Sequence, residues 1–258
     1  MILAYSDDGP GPVVVLLHGF PLDRSMWTWQ VTTLGSMYRV ITPDLRGHGQ
    51  SAAPDGVYSI EEMAEDVIET LDALQITEPV VLGGLSMGGY VALALVARYP
   101  ERFRALMLID TKAEADTPEA ARGREELASA VEAAGNSGAV ASAMLPKLFS
   151  ETTRQTRPQL IPRMREVMER TPARAVAGAL RGMAARQDRT AELAQIAVPT
   201  LVLVGADDVI TPPAVAQKTA EAIPDAQIVI IPDAGHLAPF ENPEATNQAM
   251  LEFLRGLD

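Results

Sequence analysis

Apolar and polar positions along the first 112 residues follow two alternating periods. Val13-Val14-Val15-Leu16-Leu17 is an unbroken apolar run, as expected of a strand covered on both faces. Leu22 to Leu34 follows with helical spacing. Tyr38-Arg39-Val40-Ile41-Thr42 reads as the next strand, ending in the loop Pro43-Asp44-Leu45-Arg46-Gly47-His48-Gly49. Ser59 then opens a helix, and Glu62 completes a capping box with it. Ile60, Met63, Ala64, Val67, Ile68, Leu71 and Leu74 share one face of that helix. Pro79-Val80-Val81-Leu82 predicts a strand, Met87 to Arg98 a helix and Ala105 to Ile109 a further strand. Strands and helices alternating at this spacing imply a mostly parallel sheet flanked by helices on both faces, an α/β fold.

The alternation stops near Ala113. Residues 113–190 carry helix signals only, among them the N-cap Thr117-Pro118-Glu119 and a second helix start at Pro172. Strand signals return at Pro199-Thr200-Leu201-Val202-Leu203-Val204 and at Ala226 to Ile231. A final helix opens at Asn242-Pro243-Glu244 and buries Ala249, Met250, Phe253 and Leu254. The expected organisation is one core, residues 1–112 and 191–258, interrupted by a helical insert, residues 113–190.

Charge supports that division. The whole chain carries −13, yet residues 113–190 hold 12 Lys and Arg against 10 Asp and Glu, so the remainder carries −15. Such an acidic balance favours solubility and lacks the clustered positive charge that nucleic acid requires. There is no cysteine, which excludes disulfides, thiolate metal sites and a cysteine nucleophile. The only histidines are His18, His48 and His236, and no HExxH spacing joins them, so no metal site is signalled. Residues 79–97 contain no charge, but four glycines and a serine interrupt them, so no membrane span is expected. The N-terminus lacks the basic and apolar regions of a signal peptide, and the protein reads as cytoplasmic.

Chemistry concentrates at Gly84-Leu85-Ser86-Met87-Gly88, set between an apolar strand and an apolar helix. That setting is the one expected of a nucleophile elbow. The turn is tight enough that side chains at positions 84 and 88 would collide, and it lifts the Ser86 hydroxyl to a helix N-terminus that favours negative charge. A phosphate cradle is the competing reading, but Tyr90 and Val91 stand where a Walker loop has Lys and Ser or Thr.

A serine hydroxyl needs a base, and histidine suits that task near neutral pH. His236 follows the last strand in Asp233-Ala234-Gly235-His236-Leu237 and is the favoured base. His18 and His48 also follow strand ends, but they sit in glycine-flanked loops as loop-organising hydrogen bonders. For the carboxylate that orients the base, Asp208 in Gly205-Ala206-Asp207-Asp208 is favoured, with Asp110 and Asp207 as alternatives.

Taken in order, His18-Gly19-Phe20-Pro21, Asp44-Leu45-Arg46-Gly47-His48-Gly49, Gly84-Leu85-Ser86-Met87-Gly88-Gly89, Gly205-x-x-Asp208 and Gly235-His236 resemble the α/β-hydrolase fold family over nearly the whole chain. The resemblance implies a catalytic triad of Ser86, Asp208 and His236. It also implies an oxyanion hole formed by the backbone N–H groups of Phe20 and Met87, and a cap made of residues 113–190. It calls for no metal and no cofactor. The family usually begins with an antiparallel hairpin, whereas only a dozen residues precede Val13, so the first strands must be short or one is missing.

Ser86 separates the chain from the similar haloalkane dehalogenases and epoxide hydrolases, which use aspartate. Leu237 stands where carbon–carbon bond hydrolases have Trp, and Tyr90 where menaquinone-pathway lyases have Arg. Enol-lactonases share the elbow but usually lack His-Gly-x-Pro. The carboxylesterase group with His-Gly-Phe-Pro-Leu-Asp is most similar, with perhydrolases and acyl-homoserine-lactone hydrolases as near neighbours. The expected reaction is acyl transfer from a small or medium-sized ester to water. Met144, Leu145, Phe149, Leu180 and Met183 of the insert either line its pocket or pack between cap helices.

Overall fold

The computed structural model describes residues 1–257. Seven strands form one sheet: β1 (Tyr5–Asp8), β2 (Val13–Leu17), β3 (Arg39–Pro43), β4 (Val80–Leu85), β5 (Phe103–Ile109), β6 (Thr200–Gly205) and β7 (Ala226–Ile231). Their spatial order is β1-β3-β2-β4-β5-β6-β7. Only β1 is antiparallel, paired along β3 from Tyr5 opposite Pro43 to Asp8 opposite Val40. One short strand therefore stands where the family resemblance suggested a hairpin. The central strands β4 and β6 are buried along their whole length, which is why their sequences run apolar without alternation.

Helices cover the faces. On the core they are α1 (Thr28–Leu34), α2 (Ile60–Ala73) and α3 (Met87–Arg98). The expected helix over 22–34 is in fact a 3-10 turn, Arg24–Trp27, leading into α1. Asp23 accounts for the late start, since its side chain accepts from the Ser25 N–H and caps the turn. The Ser59–Glu62 capping box forms with both of its hydrogen bonds.

Between β5 and β6 the chain is helical, with α4 (Pro118–Ala134), α5 (Gly138–Leu148), α6 (Glu151–Thr156), α7 (Leu160–Arg170) and α8 (Ala173–Ala184). After β6 come α9 (Pro213–Ala222), then α10 (Ala238–Glu241) and α11 (Pro243–Arg255). The uncharged residues 79–97 resolve into β4, the elbow and most of α3, and no helix among the described residues is long and apolar enough to cross a membrane.

The helical segment is joined to the core at a narrow neck. Its entering and leaving segments lie side by side: the Arg189 N–H donates to the Ala113 carbonyl at 3.0 Å, and the Ala115 N–H donates to Asp188 at 3.1 Å. The guanidinium of Arg186 donates to the Glu114 carbonyl at 2.8 Å. It also pairs with Asp116 at 2.8 Å and lies 4.3 Å from the Tyr90 ring centroid, tying the neck to α3.

Beyond the neck, α8 presses a glycine face on the core. A Cβ at Gly182 would lie 1.6 Å from the Tyr58 carbonyl oxygen, so only glycine permits this approach. Thr171 donates to the Pro21 carbonyl, and the His236 N–H donates to the Leu148 carbonyl. The helices thus rest on the loops that follow β2, β3 and β7. Leu145, Phe149, Leu180 and Met183 are buried there, and Met144 is partly buried.

Candidate active site

Parallel strands deliver their following loops to one edge of the sheet, and a crevice at that edge is where such folds place their chemistry. Register makes the delivery specific here. Leu85 is opposite Ile109, Ile109 opposite Leu203, and Gly205 opposite Ile231. Ser86, Asp110, Asp208 and His236 therefore leave the sheet at nearly one level.

β4 continues through Gly83 and Gly84, past the predicted end at Leu82, and passes into α3 through Ser86 at φ 52° and ψ −112°. A serine in that conformation is strained, and the surroundings hold it there. Its N–H extends the ladder to the Ile109 carbonyl at 3.0 Å, and Thr111 donates to its carbonyl at 2.8 Å. A Cβ at Gly84 would stand 2.2 Å from the Gly88 oxygen, and one at Gly88 would stand 2.3 Å from the Leu17 oxygen. The expected collision is thus real at both glycines.

His236 is buried on the loop after β7. Its Nε2 lies 2.9 Å from Ser86 Oγ and its Nδ1 lies 2.8 Å from Asp208 Oδ2. Asp208 is held in turn. Its Oδ1 accepts from the N–H groups of Ile210 at 2.7 Å and Thr211 at 2.9 Å, and its Oδ2 accepts from the Thr211 hydroxyl at 2.6 Å. With Nδ1–H donated to Asp208, the Nε2 lone pair faces the serine hydroxyl.

Burial works against a charged His236, but the hydrogen bond and charge of Asp208, with the charges of Asp110 and Glu241, hold its pKa above the ordinary value. Burial likewise opposes the Asp208 charge, yet His236 and the Thr211 bonds keep that carboxyl below its usual range.

The alternatives for the acid are placed elsewhere. Asp207 is exposed. Asp110, at φ 44°, turns its two oxygens to the N–H groups of Gly205 at 2.8 Å and Ala238 at 3.1 Å. Burial and the nearby Asp208 charge push its carboxyl up to about 8. It braces the loops that carry Asp208 and His236, a role with no sequence signature.

His18 accepts from the Leu45 N–H and bonds the Gly19 carbonyl, each at 2.9 Å, so neither ring nitrogen is free. His48 bonds the Arg46 carbonyl at 2.9 Å. Burial lowers His18 to about 4 and His48 to about 3, so both rings are neutral loop organisers.

The loop carrying Phe20 lies beside the serine: a Cβ at Gly19 would meet Ser86 Cβ at 3.5 Å. Met87 is the first residue of α3. Among the described residues, no backbone or side-chain acceptor takes the N–H of Phe20 or Met87, leaving both available as donors.

An alpha/beta hydrolase fold family model matches residues 12–243. The chain is 34% identical to 3-oxoadipate enol-lactonase 1 of Acinetobacter baylyi, over 99% of this chain and 94% of that protein. Among solved structures, a thermophilic esterase from Thermogutta terrifontis is 46% identical with a TM-score of 0.97, covering 99% of this chain and 93% of that one. The enol-lactonase from Burkholderia xenovorans LB400 is 33% identical with a TM-score of 0.90, covering 98% and 96%. Enol-lactonases, set at one remove by their oxyanion loop, thus stand among its relatives beside an esterase. A seven-stranded sheet, a serine at its central elbow and a family match across nearly the whole chain lead to one assignment: this protein belongs to the alpha/beta hydrolase fold family.

Proposed function

We propose that the protein is a serine hydrolase that cleaves carboxylic esters through an acyl-enzyme on Ser86. The observation that carries the reading is the continuous relay from Ser86 Oγ through His236 to Asp208, with spacings of 2.9 and 2.8 Å. In this mechanism Ser86 Oγ forms a bond to the ester carbonyl carbon while His236 Nε2 takes its proton. Asp208 holds the ring and offsets the imidazolium charge. The N–H groups of Phe20 and Met87 receive the oxyanion, each donor being worth about 3–4 kcal/mol in the transition state. Collapse breaks the bond to the alkoxy oxygen, which leaves with the proton from His236. Water, deprotonated by the same nitrogen, then attacks the acyl carbon, and the acid departs as Ser86 recovers its proton.

In this reading residues 113–190 act as a cap that bounds the substrate, and small to medium esters are the expected substrates. A lactone is an ester closed on itself, so the same steps open the ring; the enol-lactonase relatives favour that substrate form as the second reading. The test is turnover of p-nitrophenyl acetate and butyrate by the wild type and Ser86→Ala, with phosphonate labelling read by intact mass. Multiple turnover and a single adduct in the wild type, both absent from Ser86→Ala, are expected. Equal inactivity of the two proteins with no adduct would overturn the proposal.

A further inference from the structure

Glu241 is a fully buried carboxylate at the end of α10, five residues beyond the base. Its partners are backbone amides. Oε1 accepts from the N–H of Gly235 at 2.8 Å and of Leu237 at 3.4 Å, the residues on either side of His236. Oε2 accepts from the N–H of Ser150 at 2.8 Å, the N-cap of α6 in the helical segment. Around these bonds the two backbones are in close contact. The His236 N–H donates to the Leu148 carbonyl at 3.0 Å, and a Cβ at Gly235 would stand 2.8 Å from the Ser150 nitrogen.

A buried carboxylate is costly unless its charge is met, and amide N–H groups meet it through charge-assisted hydrogen bonds. An alkyl side chain would leave these three donors unpaired and an amide would turn its NH₂ on one of them, so the position calls for a carboxylate, which brings its charge up behind His236. Three carboxylates approach His236 from three elements: Asp110 at the end of β5, Asp208 after β6 and Glu241 on α10. Two cations border this corner: Arg163 of α7 lies 5.6 Å from the Phe240 ring centroid, and Arg157 donates to the Thr153 hydroxyl beside Ser150.

We infer that Glu241 is a positioning residue. It grips the backbone on both sides of His236, fastens that loop to residues 148–150, and adds negative charge behind the ring that must become an imidazolium. This rests on the hydrolase reading above, since positioning matters only if His236 is the base.

Glu241→Gln and Glu241→Asp test it beside the wild type and Ser86→Ala, with rates expressed per phosphonate-titrated site so that misfolded protein does not count. In Glu241→Gln the amide oxygen can still serve Gly235 and Leu237, but its NH₂ then faces the Ser150 N–H. That variant is expected to lose kcat by up to about 100-fold, the scale of a catalytic group displaced by an ångström. With one negative charge gone, His236 gives up its proton more readily, and the acid limb of kcat/KM moves to lower pH.

Glu241→Asp keeps the charge but cannot span both partners, so kcat falls while the limb stays in place. If the Gln variant fails to accumulate, the Asp variant carries the test. Wild-type kcat in Glu241→Asp, or a Gln variant with an unmoved limb, would overturn the inference while leaving the hydrolase reading intact. Turnover by Ser86→Ala would remove both.

Discussion

Replacing Asp208 with Asn is the most searching test of the relay, because the surroundings dictate how the new amide must lie. Oδ1 faces two backbone donors, Ile210 and Thr211, at 2.7 and 2.9 Å, so the amide oxygen has to occupy that side. The NH₂ then takes the place of Oδ2, 2.8 Å from His236 Nδ1 and 2.6 Å from the Thr211 hydroxyl, which can turn to accept. Facing a donor, Nδ1 must become the acceptor, and the ring proton moves to Nε2, pointing at Ser86. The serine thereby loses its base although no heavy atom has moved. A wrong tautomer of this kind costs about 10⁴-fold in kcat in a serine protease triad. That ratio corresponds to about 5 kcal/mol of barrier. The assay is kcat for p-nitrophenyl butyrate at pH 8, with thermal unfolding as the control for integrity. A loss smaller than tenfold in a folded variant would show that Asp208 does not set the tautomer.

Four further outcomes follow from the same geometry. His236 is held above its ordinary value of 6.5 and must be neutral to accept the Ser86 proton, so kcat/KM for an uncharged ester falls as pH drops, with its midpoint above pH 6.5; a midpoint below 6 contradicts this. Thr211→Val removes the hydroxyl bonded to Asp208 Oδ2, and a loss of about tenfold in kcat with little change in KM is expected, matching the lower end of bonds to charged groups. Gly84→Ala puts a methyl 2.2 Å from a backbone oxygen that cannot yield, and denaturant titration should show about 3 kcal/mol lost, or no folded protein at all. Asp116→Ala strands the buried Arg186 guanidinium, and the same titration should show a loss of about 3–5 kcal/mol.

The sheet was legible wherever both faces are buried, because an unbroken apolar run admits few other readings. The apolar signal of β4 stops at Leu82 because Gly83 and Gly84 contribute no apolar side chain. The ladder continues through them because β2 and β5 supply partners on either side. α9 left no stripe to read, since only Ala216, Thr219 and Ala220 of its ten residues are buried. In the site, Ser86 and His236 could be read from local context alone: a glycine-flanked turn and a loop after the last strand. Local context favours Asp208 but leaves Asp110 and Asp207 open, as all three follow strand ends at one edge. What divides them is side-chain direction, which only the assembled sheet fixes. Thr211 and Glu241 were invisible for a related reason. Glu241 works on the Ser150 amide from 91 residues away, a contact with no counterpart in local pattern.

The neck of the helical segment bears on how this chain can change. β5 and β6 are neighbours in the sheet, and the path between them closes on itself at the Arg189–Ala113 and Arg186–Glu114 hydrogen bonds before any helix begins. Helices can therefore be lengthened, deleted or exchanged beyond that closure without altering the span the backbone must cross, and loop closure costs only slowly more as the excursion grows. The sheet, the elbow and the relay form a fixed socket to which Leu148 and Ser150 also belong, while the rest of the segment above it is free of that duty. Grafts between Thr117 and Ala185 are thus accommodated by the backbone where they keep residues 148–150, whose bonds to His236 and Glu241 hold the loop of the base.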